Sequence, residues 1–209
     1  MAARLRQRSR RRRLEEIAAF RQIDGWLTDA EALGLFDLAA GLPKGAAVVE
    51  IGCWKGKSTF CLASGLRSGK VFSIDPFDAS GEDGSAEIYG STRGDAPLKE
   101  QFERNLSEFF TDGRVTALPG LSSEFVGRFE RIDLLFIDGD HSVPGCRFDF
   151  ESFSPAVNDG GFVAFHDYDP ARPDLGPTWV VENLVLGNDR WRPALRADSL
   201  WVCQKRSST

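Results

Sequence analysis

The feature that most constrains how this chain can fold is an alternation of short apolar segments with segments of helical periodicity. The apolar segments are four to six residues long, a length typical of strands that are buried on both faces. They cover residues 46–51, 71–75, 115–118, 132–137 and 162–165. The helical patterns between them cover residues 58–66, 98–110 and 146–157. Strands that alternate with helices predict a parallel sheet with helices on both faces.

The C-terminal part of the chain departs from this alternation. A helical pattern near residues 180–186 is followed by two strand patterns, at 195–197 and 200–203. Two strands so close in sequence predict a hairpin, which adds antiparallel strands to one edge of the sheet. We therefore predict an α/β three-layer sandwich around a mostly parallel, seven-stranded sheet with an antiparallel edge hairpin.

The start of the chain is strongly basic. Residues 1–13 hold seven arginines and no acid; of the 26 basic and 31 acidic residues, 19 and 31 lie in the rest, which therefore carries −12. An acidic body disfavours nucleic-acid binding, which requires a basic face, so only the arginine run could contact RNA, an anionic surface or an acidic partner. We divide the chain into a basic N-terminal tail or helix, residues 1–22, and one domain, residues 23–209. The helical pattern at residues 14–20 is compatible with a homo-oligomer.

Neither a membrane span nor a secretion signal is predicted. No apolar run reaches the roughly 18 residues that cross a bilayer, and the acidic Glu15 and Glu16 follow the arginines where a secretion signal would be apolar. The four cysteines, which form no Cys-x-x-Cys pair, are Cys53, Cys61, Cys146 and Cys203. We expect a soluble cytoplasmic protein with buried, reduced thiols and no membrane partner.

A helix is predicted ahead of the first strand. Thr28 with Glu31 three residues later is the pattern of a capping box. The helix that it opens would end near Gly41-Leu42-Pro43, because glycine and proline in that order are a helix-end signal.

The first strand ends in a glycine-containing segment, Glu50-Ile51-Gly52-Cys53-Trp54-Lys55-Gly56-Lys57-Ser58. Gly52 and Gly56 allow a sharp turn and a close approach to a ligand, and Ser58 can cap the next helix, whose N-terminus favours an anionic group. The dinucleotide fingerprint Gly-x-Gly-x-x-Gly is not matched. The phosphate-binding loop needs four residues between its glycines, and this chain has three. A purely structural turn is the alternative interpretation.

Three further strand ends carry acids or histidines. Asp75 closes the second strand, where a carboxylate can bind the ribose hydroxyls of an adenosyl ligand. Asp138-Gly139-Asp140-His141 follows the fourth strand and His166-Asp167-Tyr168 the fifth, and these are the only two histidines of the chain. Three or four oxygen and nitrogen ligands could converge there on a divalent cation. The alternative is that these groups cap helices and hydrogen-bond one another.

The ordered set of motifs resembles the class I S-adenosylmethionine-dependent methyltransferases, which implies a Rossmann-like fold. The resemblance is carried by residues 49–59, 135–142, 149–151 and 160–168, and it extends over about residues 24–204. Within the class, the chain is most similar to the subgroup of macrocin-type and other antibiotic-sugar O-methyltransferases and cephalosporin-biosynthesis methyltransferase-like proteins.

The resemblance implies how S-adenosylmethionine would be bound. Its methionine end would be lined by Glu50, Gly52, Gly56 and Ser58. Asp75 would bind the ribose, and Gly120 and Ser122 would border the adenine.

The resemblance also implies a metal site and a base. A divalent cation, Mg²⁺ or Mn²⁺, would be held by Asp138, His166 and Asp167. His166 stands where relatives usually have Asp or Glu, and imidazole shifts the preference from Mg²⁺ toward Mn²⁺ or Fe²⁺. His141 is the first choice for the general base, because a free imidazole titrates near neutrality, and Asp140 is the second.

The predicted function is therefore methyl transfer to a hydroxyl of a small molecule, one of a vicinal pair, with assistance from the cation. The acidic segment 78–97, with Tyr89 as its large aromatic residue, is the candidate substrate lid. The alternative is a catalytically degenerate methyltransferase fold that serves as a binding or accessory protein. A nucleotide hydrolase is a third interpretation, which the short glycine spacing disfavours.

Overall fold

Seven strands form a single sheet in the computed structural model, which describes residues 2–80 and 86–207. The strands are Ala46–Ile51 (β1), Gly69–Asp75 (β2), Val115–Pro119 (β3), Ile132–Ile137 (β4), Val157–Phe165 (β5), Trp191–Ala197 (β6) and Leu200–Lys205 (β7). Their order in the sheet is β3-β2-β1-β4-β5-β7-β6. Neighbouring pairs among β1 to β5 are parallel, whereas β7 runs antiparallel to both β5 and β6. The predicted mostly parallel sheet with an antiparallel edge is confirmed.

Helices cover both faces of this sheet. They are Ala2–Glu16 (α1), Asp29–Ala40 (α2), Lys57–Gly65 (α3), Ala86–Thr92 (α4), Leu98–Asn105 (α5), Ser107–Thr111 (α6), Val143–Phe153 (α7) and Gly176–Val180 (α8). One buried cluster joins the sheet to α2, α3 and α5 through side chains such as Leu35, Leu62 and Phe102. A second joins the opposite face to α7 and α8 through side chains such as Phe153 and Val180. The result is the three-layer sandwich expected from the strand and helix alternation.

The strand order reverses between β1 and β4, because the chain leaves β1 toward β2 and β3 and returns on its other side. In open α/β sheets, ligands bind outside the carboxyl ends of the strands at such a reversal. The fold therefore places the ends of β1, β2, β4 and β5, with their acids and histidines, around one crevice.

Several sequence-based boundaries need correction. The segment predicted as a loop over residues 78–97 contains α4, and residues 81–85 of that segment lie outside the described part of the chain. The pattern at 98–110 forms two helices, because Leu106 leaves the helical conformation between α5 and α6. The basic run is part of α1. This helix is anchored to α2 by an ion pair between Arg13 Nη1 and Asp37 Oδ1, which lie 2.7 Å apart.

No helix in the described residues is both long and apolar enough to cross a membrane. The four cysteines are free thiols and all are buried. Burial raises the pKa of each of them above the ordinary thiol value.

The predicted capping box at the start of α2 is present. Thr28 Oγ1 accepts a hydrogen bond from the Glu31 amide at 3.3 Å, and Glu31 Oε2 accepts one from the Thr28 amide at 2.8 Å. Thr28 Oγ1 also donates to Asp198 Oδ2 at 2.7 Å. The cap therefore fixes the start of α2 against the turn between β6 and β7.

Glu50, at the end of β1, forms a buried polar cluster with α3 and β2. Its side chain is fully buried. Oε1 accepts from Ser58 Oγ at 2.6 Å, and Oε2 accepts from Thr59 Oγ1 at 2.5 Å and from Ser73 Oγ at 2.7 Å. Burial raises the pKa of Glu50 to about 7, although these three hydroxyl donors favour its ionised form.

Thr28→Ala should lower the free energy of unfolding by about 1–2 kcal/mol, because both the N-cap acceptor and the link to Asp198 are lost. Urea unfolding followed by circular dichroism measures the change. Thr28→Ser, which keeps the hydroxyl, is the matched control and should stay within about 0.5 kcal/mol of wild type. Equal stability of the alanine and serine variants would contradict this account of the cap.

Glu50→Gln should change how stability depends on pH. The pKa of Glu50 is about 7 in the folded state against an ordinary value of 4.5, so its neutral form favours folding, and that contribution is lost as pH rises through this window. Wild type should lose about 3 kcal/mol relative to Glu50→Gln between pH 4 and pH 8. Urea titrations across this range provide the comparison.

Glu130→Gln controls for the loss of one negative charge, because Glu130 is exposed. Its unfolding free energy should follow that of wild type at every pH. A constant difference between wild type and Glu50→Gln would show that Glu50 titrates alike in the folded and unfolded chains.

Candidate active site

A cavity of about 740 Å³ lies at the carboxyl edge of the sheet. Ten of the predicted site residues line it: Gly52, Ser58, Asp75, Gly120, Ser122, Asp138, Asp140, His141, His166 and Asp167. Glu50 and Gly56 are absent from the lining. The cavity lies within the size range of small-molecule and cofactor sites.

The two glycines of the β1–α3 segment are required for different structural reasons. Gly52 has φ +81°, and a Cβ atom there would lie 2.1 Å from the Asp138 carbonyl oxygen, so glycine is needed for the close approach of the two strand ends. Gly56 has φ +89°, and its Cβ would meet Leu106 at 2.7 Å. Gly56 thus packs the start of α3 against a leucine of the core instead of facing a ligand.

Glu50 also differs from its predicted place at the methionine end of a cofactor. Its carboxylate is turned into the cluster with Ser58, Thr59 and Ser73. Of these, Ser58 lines the cavity. Glu50 therefore affects the cavity indirectly, by orienting the Ser58 hydroxyl.

Asp75 closes β2 at the cavity wall. Its Oδ2 accepts from the amides of Cys53 at 2.9 Å and Trp54 at 2.8 Å, and its Oδ1 accepts from the Phe77 amide at 2.7 Å. Burial raises the pKa of Asp75, while these backbone donors oppose the rise. The carboxylate thus fixes the turn after β1 and still borders the cavity.

Two carboxylates and a histidine converge where β4 and β5 end. Ligand atoms of Asp138, His141 and Asp167 all lie within 4.8 Å of one another. His141 Nε2 is 3.0 Å from Asp167 Oδ2 and 3.7 Å from Asp138 Oδ1. Asp167 adopts φ +56°, a left-handed conformation that Asp tolerates better than most residues, and this backbone turn presents its carboxylate to the cluster.

His166 lies beside this cluster, and its two ring nitrogens contact different carboxylates. Its Nδ1 is 3.1 Å from Asp138 Oδ1 and 3.2 Å from Asp167 Oδ2. Its Nε2 is 3.5 Å from Glu31 Oε2. The predicted residues of the two strand ends are therefore brought together, with the His166 ring held between carboxylates on both sides.

Glu31 is a residue of the site that sequence reasoning missed. It is only 3% exposed. Besides the bond from the Thr28 amide, it accepts hydrogen bonds from the Ser199 amide at 3.0 Å and the Ser199 hydroxyl at 2.6 Å, and it forms an ion pair with His166 at 3.5 Å. Its capping pattern was visible, but a cap requires no burial. Glu31 therefore links the start of α2, the β6–β7 turn and the His166 ring.

The electrostatics of the cluster follow from this crowding of acids. Burial disfavours the imidazolium of His141, but hydrogen bonds with Asp138 and Asp167 outweigh it and raise its pKa to about 10. The same competition raises the pKa of His166 far above its ordinary value. Burial opposes ionisation of Glu31, yet the hydrogen bonds from His166 and Ser199 lower its pKa to about 2. The carboxylates thus require positive charge among them, from protons or from a bound cation.

A different group of side chains lines the cavity after β3 and along α7. Ser122 Oγ donates to Asp149 Oδ1 at 2.6 Å, and burial raises the pKa of Asp149 to about 6. Asp140 is exposed, and its Oδ1 accepts from the Ser142 amide at 2.7 Å, which turns that oxygen toward the start of α7.

An aromatic group that also lines the cavity was only partly predicted. Trp26, Trp54 and Tyr89 all line the cavity, and their rings contact one another with centroids 5.3 to 5.9 Å apart. Only Tyr89 was singled out from the sequence, because nothing in the pattern around Trp26 places it near the glycine segment. Trp54 Nε1 is buried without a hydrogen-bond partner among the described residues, which leaves an unmet donor in a residue of the cavity wall.

Similarity to known proteins agrees with this geometry. The model of a family described as "Methyltransferase domain" matches residues 49–168, which hold the glycine segment and the β4 and β5 strand ends. A curated relative, the uncharacterized protein y4gI of Sinorhizobium fredii, is 29% identical over 126 residues; the match covers 57% of this chain and 13% of that protein's length. The chain thus spans a small part of that relative.

Solved structures share the fold across nearly the whole chain. A Corynebacterium glutamicum protein is similar with a TM-score of 0.68 and 17% identity, covering 93% of this chain and 91% of that one. The O-methyltransferase of Bacillus cereus, solved in complex with S-adenosylhomocysteine, has a TM-score of 0.61 and 18% identity, covering 93% of this chain and 88% of its own. The family match covers more than half of the chain, and the chain belongs to the methyltransferase-domain family, with the Rossmann-like fold of the class I enzymes.

Proposed function

We propose that this chain transfers the methyl group of S-adenosylmethionine to a hydroxyl oxygen of a small molecule, with a divalent cation held by Asp138, His141 and Asp167. The observation that carries the proposal is the convergence of these three ligand atoms within 4.8 Å in the cavity that Gly52 and Asp75 also line. A hydroxyl acceptor agrees with this set, because a cation held by carboxylates and imidazole binds and activates oxygen.

The cofactor assignment is supported by the strand ends. Asp75 borders the cavity at the end of β2, the position from which a carboxylate binds ribose hydroxyls in folds of this kind. Ser58, fixed by Glu50, borders it at the start of α3, whose amide end favours the cofactor's carboxylate. The Bacillus cereus enzyme of the same fold was solved with S-adenosylhomocysteine.

The donor set suits a divalent cation such as Mg²⁺ or Mn²⁺. Two carboxylates and one imidazole are hard and borderline ligands that both metals accept, with the imidazole favouring Mn²⁺. In our proposal His141 is the third ligand of the cation. The sequence-based prediction gave that role to His166. His166 has its Nε2 directed at Glu31 and a side chain only 5% exposed. The His141 side chain is 15% exposed, and its Nε2 faces both Asp138 and Asp167.

This choice moves the general base from His141 to Asp140. The Nε2 atom of His141 is buried against two carboxylates, so it is poorly placed to reach an acceptor in the open cavity. Asp140 is exposed and lines the cavity one residue away. A nitrogen lone pair that holds a cation cannot also take a proton, so the two roles fall to different residues.

In this proposal different residues bind the cofactor and accept the proton. When bound, the cation supplies Lewis acidity that lowers the pKa of the acceptor hydroxyl. Gly52, Ser58 and Asp75 hold the cofactor, and Asp140 accepts the hydroxyl proton. The carbon–sulfur bond of the sulfonium breaks as the carbon–oxygen bond forms, and S-adenosylhomocysteine leaves as a neutral thioether. Fixing both reactants in one cavity removes much of the entropic barrier.

Calorimetric titration tests the cofactor and cation assignments one at a time, and turnover assays test the general base. S-adenosylhomocysteine should bind wild type, and Asp75→Ala should weaken it about 100-fold, because hydrogen bonds to a charged group are lost. Mn²⁺ should bind wild type and should bind neither Asp138→Asn nor His141→Ala. Asp140→Asn should bind Mn²⁺ normally and lower kcat by about 100-fold or more, as expected for a general base.

The same titrations and turnover assays distinguish the alternatives. If His141→Ala keeps the Mn²⁺ isotherm and loses only turnover, His141 is the base and the cation lies elsewhere in the cluster. If folded wild type binds S-adenosylhomocysteine but neither binds a cation nor transfers methyl groups, an accessory role is the better account. Absence of any S-adenosylhomocysteine binding by folded wild type would overturn the proposal.

A further inference from the structure

Exposed apolar side chains of this chain are concentrated at the cavity. Six large apolar residues are exposed among the described residues, and four of them, Trp26, Ile88, Leu121 and Phe148, line the cavity. The other two, Val126 and Leu186, do not line it. Apolar surface left exposed in one concave place marks a binding site better than the same residues scattered singly.

These four residues form two groups with different neighbours. Leu121 and Phe148 flank Ser122 and Asp149 in sequence, at the β3 and α7 side that the cofactor's adenine would occupy. Trp26 and Ile88 belong with a second set of lining residues, in which the rings of Trp26, Trp54 and Tyr89 contact one another. We call Trp26, Trp54, Ile88 and Tyr89 the aromatic wall. Trp54 lies in the glycine segment, so this wall borders the cofactor site.

The aromatic wall is assembled by two lysines of the same glycine segment. Lys55 Nζ lies 3.0 Å from Asp24 Oδ2 and donates to the Thr92 carbonyl at 2.8 Å, which ties the chain before Trp26 to the end of α4. Lys57 Nζ donates to the Gly25 carbonyl at 2.9 Å. The Lys55 side chain is only 4% exposed, although that of Asp24 is 77% exposed. Three separate segments are thus held together to present aromatic rings to one cavity.

We propose that the aromatic wall binds the methyl acceptor and that the acceptor is a planar aromatic molecule with a ring hydroxyl. This inference rests on the proposed function, because it places the ring beside the cofactor. Flat rings gain from contact with Trp and Tyr faces and edges. A sugar would bring many hydroxyls to this wall, whose side chains offer as polar groups only the two indole N–H groups and the Tyr89 hydroxyl. Hydroxyls left unpaired on binding cost affinity, so the wall disfavours a glycosyl acceptor.

The test compares aromatic and sugar acceptors on the whole chain saturated with S-adenosylhomocysteine. Catechol, 3,4-dihydroxybenzoate and 2,3-dihydroxynaphthalene are titrated against methyl α-rhamnoside, with tryptophan fluorescence and calorimetry as readouts. At least one aromatic probe should bind, and the bicyclic probe should bind more tightly than catechol because it covers more of the wall. The rhamnoside should bind at least about 10-fold more weakly than that aromatic probe.

Variants then locate the binding. Trp26→Ala and Tyr89→Ala should each raise the KM for the bound aromatic probe by about 10-fold, with kcat and S-adenosylhomocysteine affinity changed less than about twofold. Trp26→Phe, which keeps a ring, should restore most of the loss. Leu186→Ala removes an exposed apolar side chain away from the cavity and should leave KM unchanged.

Each outcome separates this inference from the proposed function. Preferential binding of the rhamnoside, no binding of any aromatic probe by the cofactor-loaded protein, or an unchanged KM in both wall variants would overturn the aromatic acceptor while leaving methyl transfer intact. Failure of wild type to bind S-adenosylhomocysteine would overturn the proposed function and this inference with it.

Discussion

Three carboxylates compete for two imidazoles where β4 and β5 end, and the arrangement of the site depends on that competition. Asp138 and Asp167 face His141 and His166 from the cavity, while Glu31 approaches His166 from behind. Desolvation would push Glu31 and Asp167 toward their neutral forms, but the histidines keep both ionised, with pKa values below the ordinary range. Positive charge within the cluster therefore stabilises the ionised carboxylates, and a bound cation would supply the same charge.

Glu31 extends this constraint into the scaffold. Its two oxygens are shared by the Thr28 amide, Ser199 and His166, so the start of α2 and the edge hairpin are fixed by the same carboxylate that orients the His166 ring. Lys55 and Lys57 tie the segment before α2 to the glycine segment and to α4. The residues leading into α2 and the start of that helix therefore connect the cluster of carboxylates and histidines with the aromatic wall.

The fold and the grouping of the chemistry could be predicted from sequence for one physical reason. Apolar strands that alternate with helices leave few topologies, and parallel strands bring their carboxyl ends to one edge. The adjacency of Asp138, His141, His166 and Asp167 follows from that rule. The capping box could also be predicted, since it depends on residues only three positions apart.

Side-chain direction could not be predicted in the same way. Glu50 ends a strand like Asp75 does, yet its carboxylate faces a buried cluster because Ser58, Thr59 and Ser73 supply hydroxyls there. Which acids face the cavity depends on partners from other elements. The contact of Glu31 with His166 and the meeting of Trp26 with Tyr89 join segments far apart in the sequence, and no local pattern reports them.

The central claim is that the β4 and β5 strand ends form a cation site in which His141, and not His166, takes part. Anomalous diffraction from crystals soaked in Mn²⁺ tests it most directly. The account predicts one manganese peak bounded by Asp138, His141 and Asp167, with His166 still directed at Glu31. A peak that contacts His166 with His141 turned away, or no peak in this cluster at saturating Mn²⁺, would contradict it.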